Sequence, residues 1–409
     1  MRSIRRNMQS VKSIVLLALI AGCGGSSFSI GESQSALDVV ANFGSNPGNL
    51  TMNRYVPKTP LPSAPLVVAL HGCGQTAADY QNAGWNDLAD ANGFYVLYPE
   101  QKTANNLLSC FDWVNPPEQT RGMAENESIK EMIDKMKSDF TIDGARVFVT
   151  GLSAGAAETN LMLATWPDVF AAGASLSGMP YACATTLLDS LSCASPGKDQ
   201  TASAWGDLVR AADSGFTGAR PRVILWQGAA DQTVNPLNLT QLIRQWTNVL
   251  GVSDVATSST TSGIVTHQLF QDSHGVTQVE SYSVAGMDHG VALDPKNGCG
   301  TAGAYFLDVG VCSTRLIAEA FGIVPSSTSV PDGGVTTTDG SSSVSDGATA
   351  PTDGPSSPNR DAGSSAPSQS GCSMTQSNAA HQPNSLTNAL LFLLCVLALT
   401  LRKLRRSLH

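Results

Sequence analysis

The chain has 409 residues, of which 42% are hydrophobic and 14% are charged. This composition supplies apolar material for one large or two ordinary globular domains, and it excludes a disordered or collagen-like chain. Basic residues number 24 and acidic residues 33, which gives a formal net charge of −9. Because the basic residues cluster at the two ends and form no stripe through the middle, we expect no nucleic-acid partner.

Residues 1–23 predict an export signal. Basic residues within positions 2–12 precede an apolar run at 14–21, and a small-residue cleavage site with Cys23 follows. The segment 20–23 (IAGC) resembles a bacterial lipobox, in which Cys23 would be acylated and become the first residue of the mature chain. Ordinary signal-peptide cleavage beside an incidental cysteine gives the same pattern, so both alternatives stay open.

Residues 385–409 predict a membrane or sorting tail. The apolar run at 386–401 would reach about 24 Å as a helix, less than the roughly 30 Å of a hydrocarbon core. The basic residues at 402–406 place that end in the cytoplasm. Together with Cys372 upstream, the tail resembles the three-part C-terminal sorting signals of some Gram-negative bacteria, of the myxobacterial type. A plain single-pass anchor is the alternative, and either one tethers the folded domain outside the inner membrane, at the cell surface.

Residues 325–384 predict a flexible stalk. Their composition shifts to Ser, Thr, Gly, Pro and Asp, with hardly any aliphatic residue and no aromatic one. Such a segment cannot bury enough apolar surface to offset the entropy of ordering it. The folded domain is therefore expected at 36–324.

Six of the nine cysteines lie inside the domain 36–324: Cys73, Cys110, Cys183, Cys193, Cys299 and Cys312. An even number in an exported domain favours structural disulfides. Six cysteines allow fifteen pairings, but short spacing favours a bridge between the third and fourth and another between the last two. This leaves the first two as partners. No CxxC or HxxxH spacing indicates a metal site.

Within this domain, β-rich runs alternate with helical patterns, which predicts an α/β fold with a mostly parallel sheet and helices on both faces. Buried strands are predicted at 66–70, 94–98, 146–150, 223–228 and 279–284, and helices between the first two strands, at 128–140 and at 156–166. The aromatic residues Trp85 and Trp113 are interpreted as either core or pocket lining.

The strongest signal lies at residues 151–155 (GLSAG), where a strand runs directly into a helix. Gly-x-Ser-x-Gly in this context is the nucleophile elbow. The turn is so tight that glycines must flank the serine, which is held above the carboxyl end of the strand. We therefore predict Ser153 as a catalytic nucleophile, against the alternative of a surface serine in an unrelated turn.

A serine hydroxyl is a weak nucleophile near neutral pH, so a histidine must take its proton and a carboxylate must orient that histidine. On this fold the chain order is Ser, acid, His, which sets aside His71 because it precedes Ser153. His289 stands in a glycine-bracketed loop after a predicted strand and is the predicted base. His267 lies in a strand-like run and His274 in a polar turn, where structural or solvated histidines are more common.

Asp231 is the predicted acid, because the strand at 223–228 delivers it into a loop at the strand's carboxyl end. Asp207 and Asp213 are alternatives in a polar, peripheral stretch. Asp288 is a third alternative, but it adjoins the predicted base too closely to meet its ring easily. A turn-capping role is the competing interpretation of Asp231.

An oxyanion formed by the substrate needs two hydrogen-bond donors. The backbone N–H of Ala154, directly after the nucleophile, is one expected donor. The glycine-rich loop at 70–75 (LHGCGQ) supplies the other, for which we predict the N–H of Cys73. Such a set requires no metal or cofactor.

Several blocks together resemble the extracellular poly(3-hydroxybutyrate) depolymerase and related esterase family, which overlaps carbohydrate esterase family one. They lie in order at 42–55, 66–75, 84–101, 105–113, 146–155 and 166–181. The resemblance implies an α/β-hydrolase fold with Ser153, Asp231 and His289 as the triad. Two places depart from the family pattern. Ala-Ala-Glu stands at 156–158, where a second glycine pair and a methionine are usual, and Arg-Gly-Met-Ala-Glu stands at 121–125, where Arg-Gly-x-Gly-Glu is common.

The sequence thus predicts an exported serine esterase that hydrolyses polyhydroxyalkanoate polymer or oligomers through an acyl-enzyme. A feruloyl or acetylxylan esterase acting on plant polysaccharide is the alternative. A non-catalytic surface binding module on the same scaffold is a third hypothesis, motivated by the stalk and the anchor. The expected partner is therefore a polyester or an ester-decorated polysaccharide.

Overall fold

The computed structural model describes residues 37–326. The predicted export signal with Cys23, the tail with Cys372, and all but the first two residues of the stalk lie outside this part of the chain. Within the described range, no helix combines the length and the apolar character needed to cross a bilayer.

Residues 37–326 form twelve strands and eight α-helices. The strands are β1 (Asp38–Val40), β2 (Thr51–Tyr55), β3 (Ala64–Leu70), β4 (Tyr95–Glu100), β5 (Ile142–Leu152), β6 (Ala172–Leu176), β7 (Arg222–Gly228), β8 (Ser258–Ser262), β9 (Val265–Gln271), β10 (Thr277–Val284), β11 (Val291–Leu293) and β12 (Phe306–Asp308). The helices are α1 (Ala77–Tyr80), α2 (Trp85–Asn92), α3 (Ala124–Asp139), α4 (Ala154–Thr165), α5 (Leu187–Ala194), α6 (Ala202–Ala212), α7 (Leu237–Leu250) and α8 (Ser313–Ala320).

Ten of the strands form one sheet in the order β1-β2-β4-β3-β5-β6-β7-β10-β9-β8. The six central strands, β4 to β10 in that order, are parallel to their neighbours, and two antiparallel strands extend each edge. The prediction of a mostly parallel sheet is therefore confirmed for the centre. The antiparallel edges were not predicted, because their strands lack a continuous apolar run; all five residues of β8, for example, are exposed.

Both faces of the sheet are covered by helices. All seven residues of β3 are buried, and they alternate between two apolar cores, since Leu66 and Val68 pack on one face and Val67 on the other. Burial on both faces is the usual condition of a central parallel strand. Trp85 and Trp113 are both buried within these cores.

The six cysteines of the domain form three disulfides, in the pairs that the spacing favoured. They are Cys73–Cys110, Cys183–Cys193 and Cys299–Cys312. The first joins the loop after β3 to the loop after β4, so it connects two segments at the carboxyl ends of neighbouring parallel strands.

An acidic cluster is formed by the buried Glu158 of α4, the helix that follows the GLSAG turn, by the buried Glu125 near the start of α3, and by the half-buried Glu118. The Glu125 carboxyl group accepts hydrogen bonds from the Gln101 amide and from the N–H of Asp112 (2.9 Å). The N–H of Glu125 donates to the Glu118 carboxylate (2.8 Å). Both carboxyl oxygens of Glu158 are buried, and neither has a hydrogen-bond partner within residues 37–326.

This environment raises the pKa of all three carboxyl groups, so that Glu125 and Glu158 are protonated near neutral pH while Glu118 is partly ionised. Burial, together with repulsion from Glu118, raises the pKa of Glu125 to about 8, and burial raises the pKa of Glu118 to about 7. Burial and the nearby Glu125 hold the pKa of Glu158 well above its ordinary value. Glu158 is the last residue of one segment that departs from the family pattern, residues 156–158. Glu125, which lies near it in the structure, is the last residue of the other, residues 121–125.

We expect the fold to lose stability as the pH rises, because these carboxyl groups ionise in the unfolded chain before they ionise in the folded one. The stabilisation is complete below a pH of about 4.5 and is lost as the pH rises towards about 8, at up to ~1.4 kcal/mol per pH unit for each fully buried group. Glu158→Met removes one ionisable group without leaving a buried polar atom, so it should raise the melting temperature more at pH 8 than at pH 5.

Thermal unfolding of both proteins between pH 5 and pH 8 measures this difference. Glu158→Gln separates charge from packing, and Glu127→Gln, on α3 next to the cluster, is the control for the loss of a carboxylate outside it. Parallel pH profiles for the wild type and Glu158→Met would contradict the prediction.

Candidate active site

The three predicted triad residues follow three parallel strands of the central sheet. Ser153 follows β5, Asp231 lies in the loop after β7, and His289 lies in the loop after β10. Strands β5, β6, β7 and β10 are consecutive parallel neighbours. Because the carboxyl ends of parallel strands meet at one edge of a sheet, the fold brings these three loops to the same side.

The backbone at Ser153 has the unusual conformation φ 59°, ψ −118°, between the end of β5 and the start of α4. Both flanking glycines are required by close packing. A Cβ atom on Gly151 would lie 2.3 Å from the carbonyl oxygen of Gly155, and one on Gly155 would lie 2.4 Å from that of Leu70. The N–H of Ser153 donates to the carbonyl of Leu176 in β6 (3.0 Å), which fixes the turn against the next strand.

Asp231 and His289 form a buried pair, with 2.8 Å between Asp231 Oδ2 and His289 Nδ1. The other carboxylate oxygen accepts from the backbone N–H groups of Thr233 (2.9 Å) and Val234 (2.8 Å), and the Gln227 amide donates to Oδ2 (2.9 Å). Burial opposes ionisation of Asp231, but the hydrogen bond and charge of His289 outweigh it and hold the pKa of Asp231 below its ordinary value. An ionised Asp231 accepts the hydrogen bond from His289 Nδ1–H, so the proton stays on Nδ1 and the ring presents an unprotonated Nε2 on its opposite side.

The acid loop and the histidine loop are joined along their backbones. The N–H of Ala230 donates to the carbonyl of Met287 (2.9 Å), and a Cβ atom on Gly228 would lie 2.4 Å from that same carbonyl oxygen. Asp288, one of the alternative acids, accepts hydrogen bonds from the backbone N–H groups of His289 (2.8 Å) and Gln232 (3.2 Å). Its carboxylate therefore fastens the two loops and leaves the imidazole ring to Asp231.

The other candidate acids and histidines lie away from the buried pair of Asp231 and His289. Asp207 and Asp213 pair with arginines at 2.7 and 3.1 Å. His267 lies within β9, where its ring stacks on Tyr282 with 4.2 Å between ring centroids. His274 lies in the turn between β9 and β10. These positions agree with the structural and solvated roles expected for the two histidines.

The loop after β3 lies directly beside the elbow. A Cβ atom on Gly72 would be only 3.5 Å from the Cβ of Ser153, and the next residue, Cys73, is bridged to Cys110. Within residues 37–326 we find no protein acceptor for the backbone N–H of Cys73 or of Ala154. Two unengaged N–H groups next to a serine hydroxyl are what an oxyanion hole requires.

His71, which chain order excludes as the catalytic base, lies in the loop beside the elbow. Its ring is fully buried, with Nδ1 2.8 Å from the carbonyl oxygen of Gly72 and Nε2 3.1 Å from the backbone nitrogen of Gln101. Because an amide N–H can only donate, Nε2 accepts and Nδ1 carries the proton that it donates to Gly72. That bond fixes the peptide between Gly72 and Cys73, whose N–H points away from the Gly72 carbonyl.

The same environment keeps His71 neutral. Burial lowers the pKa of His71 to about 4, although the hydrogen bond to Gly72 opposes the shift. The position of His71 inside the glycine-rich loop was visible in the sequence. Chain order excludes it as the catalytic base, but the sequence does not show which backbone atoms its ring contacts. In residues 37–326, no group of three or more His, Cys, Asp and Glu side chains is arranged to hold a metal ion.

In sequence, the chain is similar to known depolymerases and esterases. Residues 50–269 match the family described as Esterase PHB depolymerase. The chain is 49% identical over 292 residues to poly(3-hydroxyalkanoate) depolymerase C of Paucimonas lemoignei, an alignment that covers 71% of this chain and 70% of that protein. It is 34% identical over 270 residues to feruloyl esterase B of Talaromyces funiculosus, which covers 64% of this chain and 74% of that protein.

Among solved structures, the acetyl xylan esterase of Aspergillus awamori superposes with a TM-score of 0.61 at 27% sequence identity. The match covers 71% of this chain and 100% of that one. The α/β-hydrolase fold expected from the sequence is thereby confirmed.

We expect His71→Leu to lower kcat for p-nitrophenyl butyrate by roughly tenfold to a hundredfold, less than the 10²–10³ typical of deleting an oxyanion donor. The reason is that the Cys73 N–H would remain but lose its fixed orientation. His71→Asn keeps a donor close to the position of Nδ1 and should retain more of kcat than His71→Leu. Steady-state kinetics at pH 7, with circular dichroism to verify folding, measures both; equal loss in the two folded variants would contradict this role.

Proposed function

The chain belongs to the Esterase PHB depolymerase family, and we propose that it is an exported serine esterase that cleaves polyhydroxyalkanoate polymer or oligomers. The observation that carries this proposal is the buried bond between Asp231 and His289, on the same side of the sheet as the strained Ser153 turn. In this arrangement an ionised acid orients a histidine for proton transfer, and a half-buried serine is held in a tight turn.

The reaction begins when Ser153 Oγ attacks the ester carbonyl carbon and His289 Nε2 takes the hydroxyl proton. Asp231 stabilises the imidazolium that forms. The negative charge on the former carbonyl oxygen is met by the N–H groups of Cys73 and Ala154. As the C–O bond to the alcohol breaks, His289 returns the proton to the leaving oxygen and an acyl-enzyme remains.

Water then completes the cycle. His289 takes a proton from the water molecule, whose oxygen attacks the acyl carbon, and the same two N–H groups hold the second oxyanion. Collapse breaks the bond to Ser153, which regains its proton from His289, and the free carboxylic acid leaves. No step needs a group beyond these residues and water.

A polyester is the first choice of substrate because the 49% identical relative is a poly(3-hydroxyalkanoate) depolymerase. The feruloyl and acetylxylan esterases match at 34% identity, so ester-decorated polysaccharide is the second candidate. The three disulfides of the described domain support an oxidising compartment outside the cytoplasm. Tethering at the cell surface rests on the sequence of the two end segments.

We expect Ser153→Ala to lower kcat/KM for p-nitrophenyl butyrate by ~10³ or more, since the nucleophile is lost while the binding surface remains. Ser192→Ala, at an exposed serine in α5, is the matched control and should leave the rate unchanged. Asp231→Asn should lower the rate far more than Asp288→Asn, because only Asp231 contacts the imidazole ring.

Substrate choice is measured on the same purified chain by release of 3-hydroxybutyrate from polymer and trimer and of ferulate from a feruloyl ester. We expect faster release of 3-hydroxybutyrate. Ferulate release without any polyester product would reverse the order of substrates. Equal rates for the wild type and Ser153→Ala would contradict the serine esterase mechanism and leave the binding-module hypothesis.

A further inference from the structure

Tyr305 is an exposed aromatic residue beside the proposed base. Its ring meets the ring of His289 edge-on, at 81° and 6.0 Å between centroids, and 39% of the residue is exposed to solvent. In contrast, His289 itself is buried. The Tyr305 ring therefore lies beside the imidazole of His289 and is itself open to solvent.

The backbone at Tyr305 is held in a conformation that disfavours tyrosine. Gly303 and Phe306 exchange two backbone hydrogen bonds (2.9 and 3.1 Å), which leaves Ala304 and Tyr305 as the two residues of a tight turn. Tyr305 has a φ of +65°, which in such turns is ordinarily adopted by Gly or Asn. A bulky residue in this region is uncommon, and such outliers concentrate at functional sites.

Several contacts hold this turn against the histidine loop. The N–H of Val291 donates to the carbonyl of Tyr305 (2.8 Å), and a Cβ atom on Gly290 would lie 2.7 Å from the same oxygen. The next residue, Phe306, is buried and packs near Tyr80 (5.9 Å between ring centroids). The Cys299–Cys312 disulfide closes the segment that contains the turn. The ring is thus presented by a fixed loop.

We propose that Tyr305 is a specificity residue that contacts the alcohol part of the ester. The inference rests on the proposed function, in which His289 returns its proton to the leaving alcohol oxygen and the alcohol part must lie next to the imidazole. An aromatic ring there offers an apolar surface to an alcohol that extends beyond its first carbon. The next 3-hydroxyacid unit of a polyester chain is such an alcohol, whereas methanol is too small to reach the ring.

Two butyrate esters with the same acyl group test this assignment, namely methyl butyrate and the butyrate ester of methyl 3-hydroxybutyrate. Cleavage is followed at the butyryl ester bond, by release of methanol from the first and of methyl 3-hydroxybutyrate from the second. At that bond both form the same butyryl-enzyme, so deacylation is identical and only acylation depends on the alcohol. We expect Tyr305→Ala to lower kcat/KM for the extended ester roughly tenfold more than for methyl butyrate. Tyr305→Phe should retain the selectivity, and Val276→Ala, at an exposed residue between β9 and β10, should match the wild type.

The outcomes separate the two proposals. If Tyr305→Ala keeps the wild-type ratio of kcat/KM for the two esters, whether or not both values fall, Tyr305 does not set specificity and the assignment is wrong. The esterase function then still stands. If the folded wild-type chain hydrolyses neither ester, the proposed function fails and the role of Tyr305 in it fails as well. The melting temperature of each variant identifies loss through unfolding. If Tyr305→Ala is unstable, Tyr305→Asn removes the aromatic ring with a residue that suits the positive φ, and the same loss of selectivity is expected.

Discussion

The backbone at Ser153 lies at a positive φ, a conformation that costs an ordinary residue about 1–3 kcal/mol and persists only where the surrounding structure imposes it. Here the surroundings are β5, α4 and the neighbouring strand. The flanking glycines let the backbone of α4 approach the carbonyl of Leu70, while Leu176 accepts the hydrogen bond of the Ser153 N–H. A side chain at Gly151 or Gly155 would push the elbow away from the sheet and move the nucleophile from its partners.

The partners of the nucleophile are also fixed before any substrate arrives. The carboxylate of Asp231 accepts several hydrogen bonds within its own loop and orients His289. A neutral, buried His71 holds the Gly72 carbonyl, and a disulfide anchors the following residue, Cys73. Donors that are already oriented need no reorganisation as charge develops on the substrate, which is why preorganised dipoles lower the barrier more than mobile ones. The site is thus held by backbone groups as much as by side chains.

The sequence was sufficient for the central strands and for the candidate triad, because the elbow is a local motif and the chain order restricts the acid and the base. It was insufficient wherever a role depends on backbone atoms that meet in three dimensions. His71 donates a hydrogen bond to the carbonyl of Gly72. Tyr305 contacts the ring of His289 from a turn that no sequence motif marked. The carboxyl group of Glu158, which has no hydrogen-bond partner within residues 37–326, is equally invisible in sequence, since only the fold brings Glu125 near it. The outermost strand β8 escaped prediction because all five of its residues are polar and exposed.

The proposed mechanism requires that one activated serine, Ser153, forms the covalent intermediate. Labelling the chain with a fluorophosphonate tests this requirement: the serine oxygen forms a bond to phosphorus, fluoride leaves, and peptide mapping locates the adduct. We predict one adduct per chain at Ser153, absent from Ser153→Ala and formed far more slowly in Asp231→Asn. An adduct at another residue, or no adduct on the folded wild-type chain, would contradict the mechanism.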